Sequence, residues 1–479
     1  MVLYLTFWLS LKIPFVQQKL VNFATDQLSK TIRTEARIGQ VDFSLFNTFN
    51  LKDVLVRDQK TDTLFYAGKL SVSLTDWFFT RKRFTVYSLD LENATVHLSR
   101  NDSTWNYQFI ADALSGNQQK TKSSNDLKLD IKSFSLNRIK FLMEDKWRGE
   151  NQQVVLGKLQ LKASEIDLLK KRILLENIYL QNPAYSIFQY SGNRPDSLVP
   201  ISNPDKKEIL NQDHWVIQAN TIQLKEGSFK YDLDAIGTSL PYFDGEHFQF
   251  SSINGNLQNI RMIEDKINAT INLSTKERSG FQVTSLRADM QIDPGTMSFK
   301  DLSILTPYSR IQNYFAMDYK SFSDDMTDFI HKVVMRGSFR NSIIHFKDIA
   351  YFAPELNSMP LKITANGIVA GTVENLKSNR LKINWGKNSE LNCRMEIKGL
   401  PEVDITRYVA SDIKINTNPS DLYAIHSSIQ SGIGLNLDPL GRIQYTGNAT
   451  MTGYDLQTKG RLATEVGGIA TDLTLKIGR

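Results

Sequence analysis

From residue 33 onward, apolar and polar residues alternate with period two. Leu127, Leu129 and Ile131 alternate with Lys128, Asp130 and Lys132, and Ile267, Ala269, Ile271 and Leu273 alternate with Asn268, Thr270 and Asn272. Leu361, Ile363 and Ala365 do the same with Lys362, Thr364 and Asn366. Alternation of this kind, broken by Asn, Asp, Gly and Ser, predicts short strands with one apolar and one wet face. Residues 13–32 follow a different rule. Ile13, Val16, Leu20, Phe23, Ala24, Leu28 and Ile32 fall on one side of a helix, with Gln17, Gln18, Asn22, Asp26 and Lys30 around the rest. Such an amphipathic helix either lies on a membrane surface or caps the open end of a β structure, and we assign the cap.

The strand pattern also recurs at long range. Leu89, Leu91, Asn93, Val96 and Leu98 read apolar, apolar, turn residue, apolar, apolar. The same offsets fit Phe134, Leu136, Arg138, Phe141 and Met143, 45 residues on, and then Ile178, Leu180, Asn182, Tyr185 and Ile187 after a further 44. Ile222, Leu224, Glu226, Phe229 and Tyr231 follow after another 44. The odd step of three from the turn residue to the next apolar residue (Asn93 to Val96) reverses parity, which a hairpin achieves if Leu91 pairs with Val96 and Leu89 with Leu98 across an Asn93-Ala94 tip. A shift of 89 residues also lays Gly68-Lys69-Leu70 on Gly157-Lys158-Leu159 and Arg81-Lys82-Arg83 on Lys170-Lys171-Arg172. These coincidences in register mark an internal repeat. Weaker copies contain Met297, Phe299, Asp301 and Ile304, and Ile344, Phe346, Asp348 and Tyr351. Two loop-like stretches, 115–125 and 193–204, interrupt the series.

These patterns predict a mainly β chain, an elongated repeat of antiparallel hairpins forming a curled β-groove or a β-solenoid, with one N-terminal helix. Residues 33–358 form the repeating part and 359–479 continue it. At roughly eleven residues per strand and turn, about forty strands are expected. A sheet with an apolar face has to cover it. One amphipathic helix is too little for several hundred residues of strand, so the sheet either closes on a dry core or holds hydrocarbon in an open trough. The trough's candidate lipid contacts are the sixteen apolar repeat positions, Leu89, Leu91, Val96, Leu98, Phe134, Leu136, Phe141, Met143, Ile178, Leu180, Tyr185, Ile187, Ile222, Leu224, Phe229 and Tyr231.

Composition narrows the chemistry. The 479 residues include 41% hydrophobic and 23% charged side chains, which excludes a disordered chain. A net charge of +6 is too dilute for a nucleic-acid partner. Cys393 is the sole cysteine and reads as a packed side chain. The six histidines are well separated, Gly432-Ile433-Gly434 lacks the third glycine of a dinucleotide loop, and no nucleophile elbow or phosphate loop is present. No cofactor, metal or catalytic activity is therefore expected. The basic triplets at 81–83 and 170–172 read as charged turns that keep strand edges soluble, or as a rim for lipid phosphates. Val2–Leu11 is an apolar run about half the length of a membrane span and reads as part of an anchor occupying residues 1–12.

The order of these segments resembles the TamB/AsmA-like family. Ile13-Pro14-Phe15-Val16-Gln17 is similar to the helix that follows the anchor in that group, and Ala36-Arg37-Ile38-Gly39-Gln40-Val41-Asp42-Phe43 to its first hairpin. Leu51–Asp58, Asp62–Ala67 and the block Leu89–Arg100 resemble what comes next. The likeness covers residues 13–235 best. It implies a taco-like β-groove in the periplasm, anchored in the inner membrane, that conducts phospholipid toward the outer membrane. An alternative implied role is a scaffold for outer-membrane protein assembly or secretion, with an outer-membrane barrel protein as partner. A closed structural β-solenoid is the third reading. Members of the family continue into a further C-terminal domain, so the chain is expected to be the N-terminal portion of such a protein.

Overall fold

The computed structural model describes residues 13–43, 48–74, 85–115, 128–167, 170–198, 209–234, 240–402, 404–425, 436–453 and 455–476. The chain is mainly β and divides into two units. The first comprises Met1–Ser202, Asp213–Leu240 and Asp244–Ile263, and the second Asn203–Gln212, Pro241–Phe243 and Glu264–Arg479.

The first unit starts with helix α1 (Pro14–Ile32), which has proline in its first turn and ends on Arg33 in the left-handed conformation. Nine strands follow: β1 (Ala36–Phe43), β2 (Thr48–Arg57), β3 (Thr63–Leu74), β4 (Thr85–Arg100), β5 (Lys128–Asp145), β6 (Glu150–Asp167), β7 (Arg172–Gln189), β8 (Val216–Leu233) and β9 (His247–Ile263). Each pairs with the next in chain order. The pairing is antiparallel except at β4–β5 and β7–β8, which are parallel. A parallel pair needs a crossover of a dozen residues or more. The two interruptions seen in the sequence lie in these crossovers, 101–127 and 190–215. Among the described residues no pairing joins β1 to β9, so this sheet is not closed into a barrel.

The expected hairpins within each repeat are replaced by single long strands. Each of β5, β7 and β8 runs 18 residues, and this is why the described residues hold 21 strands and not about forty. The residues assigned to hairpin tips lie mid-strand. Asn93, Arg138, Asn182 and Glu226 all have φ between 50° and 53°, as does Asp53 in β2 at 51°. One left-handed residue shifts the parity of the strand, much as a β-bulge does, so apolar residues on both sides of it still face the same way. The parity inference was therefore sound and its mechanism was not.

These breaks align into a crease. The ladders skip Gly39 against Asp53, Asp53 against Gly68, Gly68 against Asn93, Arg138 against Gly157 and Gly157 against Asn182. Asn93 and Arg138 are skipped together across the parallel pair. Glycine alternates with a left-handed residue for a steric reason. A Cβ on Gly39, Gly68 or Gly157 would lie 3.0–3.2 Å from the Cβ of Asp53, Asn93 or Asn182. The Gly-Lys-Leu match of the 89-residue repeat thus places Gly68 and Gly157 on the crease.

Helix α1 covers the β1 end of the apolar face. Ile32 and Leu28 pack with Ala36, Val56 and Leu64, and Val21 packs on Ile38 and Val41. The short helix α2 (Gln108–Ser115), in the first crossover, adds Phe109 and Ile110. The buried side of α1 differs from the sequence assignment. Val21 belongs to it, whereas Phe23 is 64% exposed and Ile13 49%.

The described residues of the second unit form twelve strands, β10 (Lys266–Glu277) to β21 (Gly467–Lys476), each antiparallel to the next. Left-handed residues recur here, at Asp301, Asn341 and Asp412 among others. Of the two weaker repeat copies, that at Met297–Ile304 forms one strand with its left-handed Asp301. The other runs out of a strand after His345 into a short helix, Phe346–Ile349.

Candidate functional site

The sixteen apolar repeat positions come together on one face of the first unit's sheet. The parallel ladders align the repeats directly: Leu89, Leu91, Val96 and Leu98 stand opposite Phe134, Leu136, Phe141 and Met143. Ile178, Leu180, Tyr185 and Ile187 stand opposite Ile222, Leu224, Phe229 and Tyr231. Strand β6 joins the two halves, with Leu136 opposite Leu159 and Leu159 opposite Leu180. Cross-strand partners share a face, so Leu91, Leu136, Leu180 and Leu224 form one row. Packing across the crease confirms that both strand segments face the same way, because Leu91 and Leu136 contact the cluster containing Ala94 and Ile139.

All sixteen side chains are partly buried, none fully. Among the described residues, no Phe, Trp or Met is fully buried anywhere in the chain, and the most deeply buried hydrophobics are small. A dry core between two layers would bury such side chains almost completely. Here each keeps part of its surface exposed, including Leu98, which packs against the same cluster as Leu28 of α1 and Phe109 and Ile110 of α2.

Sequence reasoning missed part of this face. β6 supplies Val154 and Leu156 on one side of Gly157 and Leu159 and Leu161 on the other, with the same parity reversal. That reversal around a glycine was the available signal. An aromatic run closes the β9 side, with ring centroids 5.6 Å apart for Tyr185–Phe229, 5.9 Å for Phe229–Phe248 and 5.4 Å for Tyr231–Phe248.

One end of the face finishes in a polar row that the sequence did not reveal. Arg100 donates to both oxygens of buried Asp145, at 2.7 and 2.6 Å, and lies over Trp105 at 4.6 Å. Burial pushes the Asp145 carboxyl up, but the bonds from Arg100 and the Arg148 amide outweigh it and hold the group below the ordinary range. Next in register stands Glu150, which accepts from the side-chain amides of Gln152 at 2.6 Å and Gln189 at 3.2 Å. The hydroxyls of Tyr185 and Tyr231 donate to Gln152 and Gln189, at 3.0 and 2.8 Å. Burial, and then the negative charge of Glu150, push both phenols up.

The other sequence features read as structural. Lys170, Lys171 and Arg172 are paired with Asp167, Asp213 and Glu165, so their charge is already engaged. The triplet at 81–83, His426, Gly432-Ile433-Gly434 and the run Val2–Leu11 lie outside the described residues. Cys393 is buried, which pushes its thiol up and disfavours the reactive thiolate. Among the described residues no cluster of three or more metal-ligating side chains forms, and no helix is long and apolar enough to cross a membrane. No protein-family model and no curated protein matches the chain.

Proposed function

We propose that the apolar face of the first unit holds the acyl chains of phospholipid, and that the protein carries lipid without catalysing a reaction on it. One observation carries this reading: a repeated row of large apolar side chains, aligned from β4 to β8, that the described residues bury only in part. Each large apolar residue is worth about 1.5–3 kcal/mol on full burial, so an incompletely buried face of this size calls for an occupant. Hydrocarbon fits better than a folded partner, since the apolar rows continue from strand to strand across β4 to β8.

The setting proposed with it is the one implied by the family resemblance: attachment to the inner membrane through the N-terminus, the bulk in the periplasm, and lipid moving toward the outer membrane. Exposed Ile13, Phe15 and Phe23 on α1 support membrane attachment at that end. A scaffold for outer-membrane protein assembly, with an outer-membrane barrel partner, is the second reading. It is favoured by Ile469, Leu473 and Leu475, which β21 leaves exposed. The incomplete burial of the repeat residues speaks against a closed solenoid.

The test is Leu180→Asp combined with Leu224→Asp. Both side chains are partly exposed, so the folded state should survive, while phospholipid recovered with the purified protein should fall at least severalfold. Unchanged lipid content in a folded double variant would remove the reading. Cooperative unfolding at low temperature would point instead to a dry core.

A further inference from the structure

Asp145 and Glu150 are neighbours in the polar row that ends the apolar face, yet their environments differ. Asp145 is neutralised by the bidentate bond from Arg100. Glu150 accepts only from two neutral amides, and among the described residues no basic side chain pairs with it. Its carboxyl group thus stands without a cationic partner at the rim of the hydrocarbon-like surface, where water screening is reduced. The rings of Tyr185, Phe229 and Tyr231 stand on the same face beside it, and the two tyrosine hydroxyls lead back to Glu150 through Gln152 and Gln189. A carboxylate at the end of a row of aromatic rings suits an alkylammonium group, which charge draws to the carboxylate and cation–π attraction to a ring of the row.

Resting on the lipid reading above, we propose that this end of the face recognises the ammonium headgroup of a phospholipid of the ethanolamine or choline type, with its acyl chains along the rows from Tyr185 toward Leu180. An anionic headgroup at the same place would meet Glu150 with like charge. Burial raises the phenols of Tyr185 and Tyr231, and the nearby Glu150 carboxyl adds to the rise. The amides of Gln152 and Gln189 hold the carboxylate in place, so the site is largely formed before ligand arrives.

The experiment uses the full chain incubated with vesicles of equal parts phosphatidylethanolamine and phosphatidylglycerol. Lipid retained after separation is identified by mass spectrometry. The wild type should be enriched about fivefold in phosphatidylethanolamine, and Glu150→Gln, which removes the charge but retains one acceptor oxygen for the neighbouring amides, should return the ratio to that of the vesicles with total lipid unchanged. Tyr231→Leu should reduce the enrichment partway. Retention in the vesicle ratio by the wild type, or enrichment that survives Glu150→Gln, overturns the headgroup assignment while leaving the lipid reading intact. Retention of neither lipid overturns both.

Discussion

The crease makes opposite predictions from an ordinary strand at a single residue, Asn182. Its φ of 50° lies in the left-handed region, where a β-branched side chain is strongly disfavoured. Left-handed backbone costs a typical L residue about 1–2 kcal/mol, and Asn less, because its short polar side chain tolerates it. Asn182→Val should therefore destabilise β7 by about 1–2 kcal/mol. Asn182→Gly should be near neutral, since relief of that strain is offset by about 0.5–1 kcal/mol of added backbone freedom in the unfolded chain. In a regular extended strand both signs would change: Val would be favourable, on a propensity scale spanning about 1 kcal/mol, and Gly unfavourable. The partner glycine gives a cross-check. A Cβ on Gly157 would lie 2.9 Å from the carbonyl oxygen of Gln181 and 3.1 Å from the Asn182 Cβ. Gly157→Ala should cost about 1–3 kcal/mol as an overpacked contact, and part of that should vanish when Asn182 is also glycine. Native-state hydrogen exchange over residues 150–189 reads the local opening free energy for each variant. A stabilising Asn182→Val, or strictly additive effects of the two sites, would refute the crease as the device that turns the apolar residues to one side.

Two further predictions concern the closed parts of the first unit. Ile32, the C-terminal anchor of α1, is buried against Ala36, Val56 and Leu64, so Ile32→Ala should cost about 2–5 kcal/mol and release the helix. Increased exchange of the α1 amides alone would show this, and an unchanged midpoint and exchange pattern would mean the helix is not held there. The Arg100–Asp145 pair should make stability acid-sensitive. The folded-state carboxyl is depressed below its ordinary value of 3.8, so the native state binds this proton less readily than the unfolded chain does. Its contribution is then complete above that value and is lost as pH falls through the lower folded value. Asp145→Asn should cost about 3 kcal/mol at neutral pH, and the difference from wild type should shrink below pH 4. A gap that stayed constant down to pH 2 would assign the loss to packing and not to charge.

Periodicity alone determined that the chain is β-rich after residue 33, which residues share a face, and that the face repeats every 44–45 residues. Alternation specifies sides directly, and Leu91, Leu136, Leu180 and Leu224 could be placed in one row without knowing how their strands pair. How parity reverses at Asn93, Arg138, Asn182 and Glu226 was not legible. A tight turn and a left-handed residue within a continuous strand leave the same trace in the sequence, and only the ladder decides between them. Pairing of Leu89 with Phe134, 45 residues away, in place of Leu98, nine away, depends on the crossovers 101–127 and 190–215 being long enough to return the chain parallel. Burial was likewise a tertiary outcome. The pattern says which side chains avoid water, but whether a second layer covers them depends on what else the fold brings near, and here α1 and α2 reach only the β1–β4 end. The Arg100–Asp145–Glu150–Gln189 row joins residues from four strands whose spacing carries no motif, so it became visible only when the strands were laid side by side.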